Sequence, residues 1–248
     1  MLKKIYYPSP NFEPRPSGIP LDMIVLHYTD MPNAEEALAR LCDPASKVSA
    51  HFLIHKEGPL YQLVDPKHRA WHAGTSFWGG EGDINSRSIG IELDNLGHTF
   101  GPEPFPVSQM TTLYHLLEEL TQIYGIPAHR VVGHSDVAPL RKQDPGELFP
   151  WHDLAKKGFG LWSSQKTPPL SSSVSLSFLE VQQALRDIGY ECPLTGVWDD
   201  DSQKVCRVFQ QHFTPVELTG YPSDLTCQTL QELLGIVKSL AQSRSFLG

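Results

Sequence analysis

The sequence contains no apolar run long enough to cross a bilayer, which takes about 20 residues as a helix. The N-terminus also lacks the apolar segment of a secretory signal: Lys3 and Lys4 are followed by Pro8 and Pro10, not by a hydrophobic stretch. With Met1 as the native start, the protein is expected in the cytoplasm; if a leader has been removed, in the periplasm or at the outer membrane. Positive charge is scarce as well. Twenty Lys and Arg stand against 28 Asp and Glu, a formal charge of −8, so the basic footprint of a nucleic-acid or anionic-membrane binder is missing. Cysteine is sparse: Cys42, Cys192, Cys206 and Cys227 include no Cys-x-x-Cys pair, which excludes zinc-ribbon and thioredoxin-type motifs. Free thiols are expected.

What is present is a normal globular composition, with 40% apolar residues over 248 positions. One composition break stands out. Ser163–Ser175 (SSQKTPPLSSSVS) is rich in Ser and Pro and reads as an extended linker. It divides a first domain, residues 1–162, from a second, residues 176–248. A monomer is expected.

In the first domain Leu21–His27 is a short apolar run, read as a buried strand. Pro32–Cys42 is helix-like, with proline near its start and acids in its first turn. Ser49–His55 and Leu60–Val64 read as strands around a turn, and Arg87–Leu93 and Arg130–Gly133 as two more. Ser108–Tyr124 is the clearest helix: Ser108 can cap it, apolar residues recur at helical spacing, and Gly125 and Pro127 end it. Strands mixed with helices predict an α/β layered domain. The second domain shows three helix-like stretches, Phe178–Ile188, Asp199–Phe213 and Asp224–Leu234, and reads as a small all-α module.

Two histidines follow strands at places where α/β folds carry chemistry: His27 ends the first apolar run, and His134 follows RVVG. Asp144 lies in a Pro/Gly-rich loop that could fold back toward His134. A catalytic zinc wants three protein ligands and an open position. Rival ligand sets exist. His51 and His55 have i,i+4 spacing, but on a strand they would stand about 13 Å apart. His134 and Asp136 mimic the start of a non-haem iron triad, which needs a distant third histidine.

At these residues the chain resembles the type-2 N-acetylmuramoyl-L-alanine amidases, the AmpD/AmiD-like zinc enzymes. The matching pieces are YPSPNF at Tyr7–Phe12, IVLHYTDM at Ile24–Met31, VSAHFLI at Val48–Ile54 and WHAG at Trp71–Gly74. NSRSIGIEL at Asn85–Leu93 and VVGHSDVAPLRKQDPGELFPW at Val131–Trp151 complete the set. The second domain resembles a small peptidoglycan-binding three-helix module, centred on LTGVWDDDS. The resemblance implies a mixed central sheet flanked by helices, one zinc ion on His27, His134 and Asp144, a catalytic acid at Glu92 and a second catalytic residue at Lys142. It implies hydrolysis of the amide between a muramic acid and L-alanine in peptidoglycan or muropeptides. The alternatives are a non-catalytic peptidoglycan-binding protein on the same fold and, from another class, an iron oxygenase.

Strand periodicity adds a detail. Ile89 and Ile91 point one way, so Gly90 and Glu92 point the other. Trp71 and His72 are expected to line the substrate groove, and Asn85 and Arg87 to contact the stem peptide, whose carboxylates suit an arginine. His51 is expected to be structural, Asp136 to cap a loop, and Phe149–Trp151 to pack.

Overall fold

The computed structural model describes residues 2–163 and 175–245, with side chains to residue 242. Its centre is a six-stranded sheet in the order Lys4–Tyr6, Leu60–Gln62, Phe52–Ile54, Ser88–Leu93, Met23–Tyr28, Val131–Gly133. Only Phe52–Ile54 and Leu60–Gln62 pair antiparallel within it; every other neighbour is parallel. Parallel strands covered on both faces read as continuous apolar runs. That is why Met23, Ile24, Val25 and Leu26 are all fully buried.

The two faces pack against different partners. Ile24, Leu26, Ile89, Ile91 and Leu93 meet the long helix Val107–Tyr124 through Met110, Leu113, Leu116, Leu117 and Leu120. Each such side chain contributes about 1.5–3 kcal/mol by burial. The helix ends at Gly125, which is left-handed at φ 65°, a conformation glycine takes without a Cβ penalty. Its start differs from expectation. Pro106 is the cap residue, and Ser108 Oγ instead donates to the Lys56 carbonyl at 2.6 Å. On the opposite face, Met23, Val25 and Val132 share one apolar cluster with Val181, Leu185 and Phe209 of the C-terminal helices.

Those helices are Phe178–Ile188, Asp200–Phe213 and Asp224–Ser245, the last longer than its sequence pattern suggests. The first opens with a reciprocal cap: Ser177 Oγ accepts from the Glu180 N–H, and the Ser177 N–H donates to Glu180 Oε2. The second is capped by Asp199, which accepts from the Ser202 N–H at 2.8 Å. The architecture is thus the expected α/β fold, a mixed sheet flanked by helices, with an all-α C-terminal unit. Most of the expected linker, residues 164–174, lies outside the described residues. The expected strand Ser49–His55 shortens to Phe52–Ile54. Ser49 Oγ donates to the Asn11 carbonyl, and His51 Nδ1 accepts from the Gly90 N–H, so these residues serve tertiary contacts. All four cysteines are free. Among the described residues no helix is long and apolar enough to cross a membrane.

Candidate metal centre

Three elements deliver the expected ligands to one point. His27 stands near the end of the strand Met23–Tyr28, in register with Glu92 on the neighbouring strand. His134 opens a short helix directly after Val131–Gly133. The loop carrying Asp144 returns beside it, held by a hydrogen bond from the Ser135 N–H to the Asp144 carbonyl at 2.8 Å. His27 Nδ1 and His134 Nδ1 are 2.9 Å apart, and Asp144 Oδ2 is 3.0 Å from each. All three side chains are buried. Among the described residues this is the one group of His, Cys, Asp or Glu whose donor atoms converge for a metal ion.

The hydrogen-bond network behind the cluster sets the tautomers. Ser88 Oγ donates to the Ile84 carbonyl at 2.6 Å, so it accepts from the His72 Nε2–H at 3.2 Å. His72 Nδ1 is then a bare acceptor and takes the His27 Nε2–H at 3.1 Å. His134 Nε2–H donates to the Ala73 carbonyl at 3.1 Å. Both Nδ1 atoms therefore turn lone pairs toward a carboxylate oxygen. Three lone-pair donors facing one another repel unless a cation sits among them, and two neutral imidazoles with one carboxylate suit a zinc-type ion. The electrostatics agree. Burial, then the neighbouring His134, push His27 down to about 4, which keeps it neutral.

Glu92 faces the same side of the sheet as His27. Its Oε2 is inaccessible to solvent and has no hydrogen-bond partner. Burial, then the Asp144 charge, raise this carboxyl well above the ordinary range, with Lys142 pulling the other way. His27, Glu92, His134, Lys142 and Asp144 all line one open groove of about 690 Å³, as do Trp71 and His72.

The other sequence-derived candidates divide. His72 touches the groove, but both its ring nitrogens are committed to His27 and Ser88, so it orients the His27 ring and has no ring nitrogen free for substrate. Gly90 makes room for it: a Cβ there would fall 2.4 Å from His72 Cγ. Asn85 and Arg87 do not line the groove. Asn85 is buried behind it, where its Oδ1 accepts from the His72 and Ala73 N–H groups. Arg87 makes a two-pronged pair with Asp22 and a second ion pair with Glu81. Both therefore support the fold, unlike the peptide contacts expected of them. His51 and His55 do not converge: His51 is tied to Gly90, and His55 lies near Asp94. Asp136 points away from the cluster and caps its own helix through the Gly133 N–H. Phe149 and Trp151 are core residues.

Tyr28 and His98 are among the groove residues that the sequence reading did not single out. Tyr28 OH lies 2.7 Å from His98 Nδ1, and His98 Nε2 lies 3.1 Å from Glu147 Oε2. The available signal was position: Tyr28 follows His27 directly.

Comparison with known proteins agrees with this geometry. The family model described as N-acetylmuramoyl-L-alanine amidase matches residues 17–147. The amidase AmiD of Escherichia coli K12 is 34% identical over 234 residues, covering 86% of this chain and 82% of the relative. The 1,6-anhydro-N-acetylmuramyl-L-alanine amidase AmpD of Haemophilus influenzae is 34% identical over 161 residues, covering 58% of this chain and 85% of the relative. The structure of E. coli AmiD with anhydro-N-acetylmuramic acid-L-Ala-D-gamma-Glu-L-Lys superposes with a TM-score of 0.78 at 32% identity, covering 89% and 91% of the two chains. AmpDh3 of Pseudomonas aeruginosa in complex with an anhydromuramic pentapeptide gives 0.76 at 30% identity, covering 89% and 94%. With its expected ligands converged and its fold shared over almost the whole described length, the chain belongs to the N-acetylmuramoyl-L-alanine amidase family.

Proposed function

We propose that this protein is a zinc-dependent enzyme that hydrolyses the amide between N-acetylmuramic or anhydro-N-acetylmuramic acid and L-alanine in peptidoglycan or muropeptides. The observation that carries the reading is the convergence of His27, His134 and Asp144 in a groove that also holds the unpartnered Glu92 carboxyl. His27, His134 and Asp144 would hold the ion, one per chain. When bound, zinc supplies a water acidic enough to attack an amide near neutral pH, and a positive charge beside the carbonyl.

The chain's own groups do the rest. An amide resists hydrolysis because its nitrogen leaves poorly unless it is protonated. The Glu92 carboxylate accepts the proton of the attacking water and returns it to the departing nitrogen. A carboxyl raised by burial is a stronger base than an exposed one, which suits it to taking the proton. Lys142, half-buried in the groove two residues before Asp144, places an ammonium where the carbonyl oxygen gains charge. Removing such a group typically costs about 10²–10³ in rate. Trp71 offers an apolar face to the substrate. Residues 1–162 form the catalytic unit and 176–248 the peptidoglycan-binding-like unit of a monomer.

The test uses a purified muramyl peptide and an amine-reactive dye. A new α-amino group should appear on incubation, vanish with a chelator and return with added zinc. Cleavage indifferent to chelation would overturn the reading.

A further inference from the structure

Asp136 is 1% exposed, yet its carboxylate is fully partnered. One partner is local: the Gly133 N–H donates to Oδ2 at 2.7 Å, from the residue before His134. The other two come from the C-terminal unit. Tyr190 OH donates to Oδ1 at 2.7 Å, and His212 Nδ1–H to Oδ2 at 2.8 Å. His212 Nε2 has no partner, so the ring acts through Nδ1 alone. The preceding residue, Gln211, donates to Glu147 Oε2 at 3.2 Å. Glu147 lies three residues after Asp144. The last turn of one helix, Asp200–Phe213, thus grips both segments that carry metal ligands.

The contact is packed as well as polar. Trp151 stacks on His212 at 3.7 Å and 16°, and Trp78 meets Tyr190 edge-on at 4.9 Å. Gly189 approaches so closely that a Cβ there would fall 2.7 Å from the Trp78 ring, while its carbonyl accepts from the Gly79 N–H. A module that merely holds polymer on a tether needs none of this. Without Tyr190 and His212, Asp136 would be a buried carboxylate with a single backbone donor, a costly state that reshapes the turn around it.

We propose that the C-terminal helical unit is a clamp on the metal centre. Tyr190, Gln211 and His212 are its positioning residues, holding the His134 and Asp144 segments in ligating geometry whether or not the unit also binds polymer. The proposal rests on the metal reading above.

The experiment measures Zn²⁺ affinity of the full chain by competition with a chromophoric chelator. Tyr190→Phe keeps the ring and removes the donor. His212→Phe keeps the stack and removes the donor. Each should weaken zinc binding about tenfold or more. His212→Asn, which loses the stack but restores an N–H near the Nδ1 position, should stay within about threefold of wild type. A merely structural role would lower the melting temperature and leave zinc affinity unmoved. Wild-type affinity in both Phe variants would therefore overturn the clamp. Absence of zinc binding by the unaltered chain would overturn the metal reading itself, and the clamp with it.

Discussion

The Nδ1 atoms of His27 and His134 face each other at 2.9 Å, each 3.0 Å from Asp144 Oδ2. With both rings donating through Nε2, this triangle brings three lone pairs together, and it is costly without a cation. Zinc should therefore stabilise the fold as well as serve the chemistry. Binding at about 1,000 times the dissociation constant adds about 4 kcal/mol. Calorimetry of the metal-free protein should show a clear rise in melting temperature on adding zinc, and Asp144→Ala should abolish that rise. An equal response in the variant would place the ion elsewhere.

Glu92→Gln separates proton transfer from metal binding. The amide is near-isosteric and leaves the three ligands untouched, so zinc stoichiometry should stay at one. The turnover number should fall about 10²–10⁴-fold. Loss of zinc together with activity would make Glu92 a ligand.

Ser88 never touches the cluster, yet it anchors the relay that orients His27. Ser88→Ala leaves the His72 Nε2–H without its acceptor and frees that ring to take the other tautomer, which would turn a second donor toward the His27 Nε2–H. Zinc affinity should drop about tenfold. An unchanged dissociation constant would show that the tautomers are set by other groups.

Buried neutral histidines make stability depend on pH. Burial, then the Arg15 guanidinium, push His51 down to about 3. In the unfolded chain the same ring titrates near its ordinary value of 6.5. Between those values the unfolded state binds the extra proton, so stability is full above 6.5 and is lost as the pH falls toward 3. One such ring contributes a slope of about 1.4 kcal/mol per pH unit. Urea unfolding of the metal-free protein from pH 7 to 4.5 should show at least this slope, and His51→Gln should lower it by about 1.4 kcal/mol per pH unit. A flat profile would mean that the ring is protonated in the fold.

Much of the fold is legible in the residues. Ile24–Leu26 and Ile89–Leu93 announce buried strands because parallel sheets expose neither face, and the helical spacing of Met110, Leu113, Leu117 and Leu120 announces the long helix. Its first residue is less legible, because the Ser108 hydroxyl goes to Lys56, 52 positions away. Spacing alone leaves His51, His55 and Asp136 as rivals to His27, His134 and Asp144; strand geometry weakens the first pair, the lack of a distant third histidine weakens Asp136, and the family resemblance supplies most of the rest. Arg87 and Asn85 show why polar residues near a site mislead. Whether each faces the groove or its supporting wall depends on partners such as Asp22, 65 positions distant. The docking of the C-terminal helices was illegible for the same reason: nothing local to Tyr190 or His212 points to Asp136.

Mass spectrometry of muropeptides digested by the purified zinc-loaded protein in ¹⁸O-water tests the central claim most directly. The account predicts an intact stem peptide with a free L-alanine amine and a muramic acid whose lactyl carboxylate alone carries the new oxygen, with no products after chelation. Label on the peptide, cleavage between sugars, or the same products with chelator present would contradict it.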